Sequence, residues 1–143
     1  MSLIGCDRVK SVEKGAGSSI RRLTLPSWSL CFLYMAAIFS LSAQPDLPLP
    51  YFFSFGGGDF FLHLAEYAIL GVLLSWSLVN SGVTRRLVLY VFLVGLFYGM
   101  TDELHQYFVP ERTASLLDLI ADGLGSLLGS YSFHILRSIK STM

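Results

Sequence analysis

The sequence predicts an all-α integral membrane protein, a four-helix bundle with both termini in the cytoplasm. Three observations predict it. First, 53% of the 143 residues are hydrophobic and 14% are charged, against about 25% charged in an ordinary soluble domain. The mean hydropathy is +0.60, and one small soluble core has no room for so much apolar surface, which excludes soluble enzyme folds. Second, the apolar residues gather into four runs, at 25–43, 60–80, 87–108 and 114–136. Each is long enough, at about 1.5 Å per residue, to cross a hydrocarbon core of about 30 Å, and runs of that length satisfy their backbone in lipid as helices. Third, the basic residues are asymmetrically placed. Ten Lys and Arg cancel ten Asp and Glu, so the net charge carries no nucleic-acid signal.

Residues 1–24 form a basic tail with Arg8, Lys10, Lys14, Arg21 and Arg22 around the stretch KGAGSS. That composition buries no core, and the tail is expected to be cytoplasmic and disordered. Residues 25–143 form the four-span domain. SLSA at the end of the first run looks like a cleavage site, but the long basic leader and the three spans behind it favour a retained anchor. The 44–58 segment, QPDLPLPYFFSFGGG, holds three prolines, three glycines and four aromatics. An ordered, non-helical loop with its aromatics at the lipid interface is expected there. SGVTRR at 81–86 is a tight basic turn, and VPERT at 109–113 makes spans three and four an antiparallel hairpin.

Nine of the ten basic residues fall in the tail, the 81–86 turn and the C-terminus, and the tenth is Arg112. The positive-inside rule therefore places both termini in the cytoplasm. Cys6 lies in the polar tail and Cys31 in an apolar run, so no disulfide framework is expected.

The acids fall mostly toward the opposite side. Asp59, His63 and Glu66 are spaced i, i+4, i+7 in span two, with Tyr67 beside them. Gly95, Gly99, Asp102 and Gln106 form one stripe in span three, and Asp118, Asp122, Gly125 and Gly129 form another in span four. Small residues permit close helix approach, while an ionisable group facing lipid near the bilayer centre costs about 2.5–3.5 kcal/mol. Both requirements are met if the stripes face each other. His63, Glu66, Asp102, Asp118 and Asp122 then lie about 5–14 Å below the outer turn, around one polar pocket. Arg112 is the one outer cation, placed to counter the acids or clamp an anion.

Several chemistries fit such a pocket. A hydrogen-bonded network fixing helix register is one. General acid–base catalysis is another, with His63, Asp102, Glu103 and Asp118 as candidates, although no nucleophile stands out. A divalent metal such as Zn2+ or Mn2+ is a third, with His63, Asp102, Asp118 and Asp122 as the leading ligands and Glu103 and His105 nearby; no HExxH spacing requires one. His105 lies about 80° off the span-three stripe and is expected at the interface. The inner halves of spans three and four hold no acid or base from 87 to 101 and from 123 to 136, which argues against a continuous ion path.

DFFLHLAEYAILG and GMTDELHQYFVPERTASLLDLIADGLGSLLG, over about 59–129, resemble the two signature blocks of the VanZ-like family of small bacterial membrane proteins. The resemblance implies site positions at Asp59, His63, Tyr67, Asp102, Glu103, Gln106, Pro110, Arg112, Asp118 and Gly125, with Asp122 standing where the family usually has Asn. Phe60 replaces a usual Lys, and Glu111 replaces the Gly of a P-G-R loop. Each departure makes the pocket more acidic and favours a bound cation or shared protons. The resemblance further implies a multi-pass protein of the bacterial cytoplasmic membrane whose partners are membrane lipid and a lipid-linked cell-wall precursor. Its expected role is in susceptibility to teicoplanin and other envelope stress. The alternatives are a hydrolase or transferase acting on a lipid head group and a structural partner of envelope machinery.

Overall fold

The computed structural model describes residues 4–44 and 58–142, with side chains from Leu23 to Gln44 and from Asp59 to Lys140. Among these described residues four helices follow in order: α1 (Ile4–Ser42), α2 (Gly58–Asn80), α3 (Leu87–Gln106) and α4 (Leu116–Thr142). No strand occurs among the described residues. Among the described residues, three segments are long and apolar enough to cross a membrane, Leu23–Ser42, Asp59–Asn80 and Leu87–Gln106, with 20, 22 and 20 residues.

One element differs from the sequence expectation, and a second has a low mean hydropathy. Helix α1 begins at Ile4, inside the stretch expected to be disordered. Once the apolar part of α1 is helical, each further residue adds a hydrogen bond without a new nucleation cost, so the helix extends upstream. Helix α4 is not among the segments apolar enough to span a membrane, because Asp118, Asp122 and a series of Gly and Ser dilute its hydropathy. Those are the residues it turns inward. The expected interfacial aromatics of the 44–58 loop lie outside the described residues.

The turn between α2 and α3 explains the antiparallel arrangement. The Val83 N–H donates to the Leu78 carbonyl at 2.9 Å and the Gly82 N–H to the Val79 carbonyl at 3.0 Å. This paired closure needs a left-handed residue just past the helix end, and Gly82 supplies it with φ +87°. Across the same end of the bundle, Thr24 Oγ1 donates to the Asn80 carbonyl at 2.9 Å and Trp28 Nε1 to Ser81 Oγ at 2.8 Å. Thr84 and Leu87 share a cavity there with His134 and Arg137. The start of the apolar part of α1, the end of α2, the start of α3 and the last turns of α4 thus lie together, as a basic end. Ser42, Gln106 and the 107–115 turn mark the other, acidic end.

The bundle is polar inside and apolar outside. Among the described residues, eleven buried side chains are polar or charged and eight are hydrophobic. Leu25, Leu33, Phe97 and Leu136 are among many large apolar side chains on the surface, at 77%, 69%, 69% and 66% exposure. Water would reject this distribution and lipid tails accept it. The hydrophobic core, from Cys31 and Ile38 to Leu74 and Val91, fills the middle of the bundle. Tyrosine hydroxyls tie α1 to its neighbours, Tyr34 to the Glu66 carbonyl at 3.2 Å and Tyr98 to the Met35 carbonyl at 2.6 Å.

Candidate functional site

Small residues set how close the helices come. Among the described residues, helices α2 and α4 form the most extensive interface. A Cβ on Gly125 would stand 2.5 Å from the Leu64 carbonyl oxygen, one on Gly71 2.5 Å from that of Ser126, and one on Gly129 would collide with the Ala68 carbonyl. Helix α3 closes on α4 in the same way, with Gly95 against Ser126 and Gly99 against Asp122. Backbones this close bring side chains one turn further along into direct contact.

At the acidic end those side chains are ionisable. His63 Nδ1 lies 2.9 Å from Asp122 Oδ1 and 4.0 Å from Glu103 Oε1. Asp122 is fully buried, and His63 and Glu103 nearly so. The other Glu103 oxygen, Oε2, accepts the Ser115 N–H at 2.7 Å, at the N-terminal end of α4, where unpaired amides favour an anion. Two further carboxylate oxygens, Glu103 Oε1 and Asp122 Oδ2, have no hydrogen-bond donor. Asp102 takes a separate position: its Oδ2 accepts Ser42 Oγ at 2.8 Å and Gln106 Nε2 at 3.2 Å, and its Oδ1 is also without a donor. The interior of this end therefore holds three carboxylates and one imidazole, and is short of positive charge.

A cavity of about 50 Å³ opens above the cluster, lined by Ser42, Asp59, His63, Glu66, Gln106 and Arg112 together with Leu41 and Leu62. Arg112 Nε donates to the Gln44 carbonyl at 3.0 Å, holding the guanidinium at the rim. The VPER turn that carries it has Glu111 in the left-handed region, φ 66°. That conformation suits glycine, the residue the resemblance expects at this position, and costs a side-chain-bearing residue about 1–2 kcal/mol.

The structure brings some expected site residues together and separates others. Asp59, His63, Gln106 and Arg112 share the cavity, and His63, Glu103 and Asp122 share the cluster. Tyr67 is fully buried, its ring stacked at 10° to that of His63 with centroids 6.4 Å apart, and its hydroxyl has no hydrogen-bond partner. Asp118 is half-buried and, like Asp102, stands outside the one group of potential metal ligands found among the described residues. Of the candidate ligands, His63, Glu103 and Asp122 are brought within 4.8 Å of one another, and Asp102 and Asp118 are not part of that group. The reason is angular: adjacent residues on a helix point about 100° apart, and α3 turns Glu103 toward His63 and Asp102 toward α1. His105 stacks on Phe39 with centroids 4.1 Å apart, away from the cluster.

Sequence reasoning missed Ser42. It assigned the pocket to spans two to four, whereas α1 contributes Ser42 and Leu41 to the cavity. A signal was present, since the buried residues Ser27, Cys31, Ile38 and Ser42 repeat the helical spacing of the stripes in the other three helices.

A family model described as VanZ/LLP1 matches residues 19–137, which spans the apolar part of α1 and nearly all of α2, α3 and α4. No curated protein and no solved structure matches the chain.

Proposed function

The chain belongs to the VanZ/LLP1 family, and we propose that it is a multi-pass protein of the bacterial cytoplasmic membrane whose acidic end faces outward. There it binds a lipid-linked or cell-wall-related ligand and so affects susceptibility to teicoplanin and related envelope stress. The basic end, with Arg85, Arg86 and Arg137, supports the orientation through the positive-inside rule.

One observation carries the reading. A single cavity is lined by a cation, Arg112, and by the acids Asp59 and Glu66, above a buried carboxylate–imidazole cluster. A lining of both signs fits a head group that offers an anion to Arg112 and hydroxyl or amine donors to the acids. At about 50 Å³ the cavity has room for a few waters or one phosphate-sized group, so the ligand docks a head-group portion while its chain stays in lipid.

The test is binding of a lipid-linked cell-wall precursor to the full chain in nanodiscs, paired with teicoplanin susceptibility of cells that carry or lack it. Arg112→Ala is expected to weaken binding about ten-fold, the loss of one charge-assisted contact of about 1.4 kcal/mol, without lowering the melting temperature. Equal binding by wild type and variant, with equal susceptibility of both strains, contradicts the reading.

A second reading is supported by the His63–Asp122 hydrogen bond, which gives an imidazole an orienting carboxylate as in general-base pairs. In that reading the pocket hydrolyses or transfers a head group. Asp122→Asn then abolishes product formation while binding persists, whereas a binding protein forms no product at all.

A further inference from the structure

Three candidates stand out beyond the cavity: the cluster beneath it, the basic-end cavity near His134 and Arg137, and the buried hydroxyls of Ser75, Ser126 and Ser130. The serines are explained by helix packing, and the basic-end cavity holds nothing that selects a ligand. The cluster is different. His63, Glu103 and Asp122 come from three helices, and one ligand atom from each lies within 4.8 Å of the others.

An acidic cluster alone does not make a site, but this one also contains unsatisfied oxygens. Asp122 is fully buried and its Oδ2 has no hydrogen-bond donor. Glu103, with a side chain 9% exposed, aims Oε1 at His63 Nδ1 across 4.0 Å, too far for a hydrogen bond, and that oxygen too lacks a donor. Buried oxygens without donors are costly, and more so at membrane depth. Charge leads to the same point. Two carboxylates around one imidazole carry two negative charges, which a single proton on His63 halves and a dication cancels.

We propose that His63, Glu103 and Asp122 hold a divalent transition cation, Zn2+ or Mn2+, with an open coordination position toward the cavity. The inference deepens the binding role proposed for the pocket and rests on it for what occupies that open position, an oxygen of the head group. One nitrogen and carboxylate oxygens suit both ions. Ligand atoms about 2.1 Å from a tetrahedral metal lie about 3.4 Å from each other. The observed 2.9 and 4.0 Å from His63 Nδ1 bracket that figure, so small side-chain rotations complete the shell. The Ser115 N–H on Glu103 Oε2 orients the carboxylate from outside, as partners of metal-bound acids commonly do. Because His63 also lines the cavity, the open position is reached from there.

The test uses the full chain in nanodiscs, stripped with chelator and then given Mn2+ or Zn2+ alone. Wild type is expected to retain about one ion per chain after desalting, and its melting temperature to rise with the ion. Glu103→Gln keeps an acceptor for Ser115 and is expected to bind at least about ten-fold more weakly, as is Asp122→Asn; Glu111→Gln, on the turn, binds as wild type. Should either variant fail to fold, the other and the wild-type melting shift still decide. Wild type that retains neither ion, or variants that bind as wild type, overturns the cation. If no ion is retained but the stripped protein still binds the lipid-linked precursor, only the cation falls; if the ion binds and the precursor does not, only the ligand falls.

Discussion

The same three helices meet in two different ways at the two ends of one stripe. Toward the basic end, α2 and α4 are joined by Gly71, Gly125, Gly129 and neutral hydroxyls, with Ser75 Oγ donating to Ser130 Oγ at 3.0 Å. Toward the acidic end the stripe continues as His63, Glu103 and Asp122, with two carboxylate oxygens lacking donors. The comparison teaches that close packing in this bundle needs only small residues. Ionisable groups add nothing that Gly, Ala and Ser do not already supply, and they cost more to bury. On the proposed reading, a ligand is what they are placed for.

Breaking the packed end is expected to have the largest effect. Gly129→Leu pushes a side chain into the Ala68 carbonyl and should cost about 3 kcal/mol or more, read as loss of monodisperse folded protein. Gly99→Ala sharpens the contrast, because its Cβ would stand 2.5 Å from Asp122 Oδ2. It should cost about 2 kcal/mol, measured by reversible unfolding, and should also weaken cation binding, which Gly129→Ala at the packed end should leave alone in whatever fraction folds. Glu111→Gly relieves a left-handed side-chain-bearing residue at φ 66°. It should stabilise by about 1 kcal/mol, less what glycine gains in the unfolded chain. Ser75→Ala removes one buried hydroxyl pair and should cost about 0.6 kcal/mol in the same unfolding measurement.

Much of this was legible in the sequence. The runs gave α2 and α3 nearly to the residue, since length and apolarity decide helices in lipid. The stripes of α2, α3 and α4 were visible as spacing, and the facing of Gly99 toward Asp122 follows from it. The split between Asp102 and Glu103 was not legible. Neighbours on a helix differ by about 100°, and which one meets His63 depends on how α3 rotates against both α1 and α4. Ser42 was marked only by its spacing with Ser27, Cys31 and Ile38: one serine in an apolar run has no charge to single it out, and its role exists only once Asp102 arrives beside it. The mean hydropathy of α4 is low because composition counts its polar stripe as if it faced lipid, whereas Ala121, Asp122, Gly125, Ser126 and Gly129 are buried.

The most direct test of the claim that the acidic end is built for binding is the melting temperature of chelator-stripped His63→Leu/Asp122→Leu. A binding site given up for apolar packing should leave the double variant as stable as wild type or more so, by up to about 4 kcal/mol, with Asp122→Leu alone melting lower because His63 then stands buried without its carboxylate. A double variant that melts as low as the single one would mean that the imidazole–carboxylate pair holds the bundle together, and the account would be wrong.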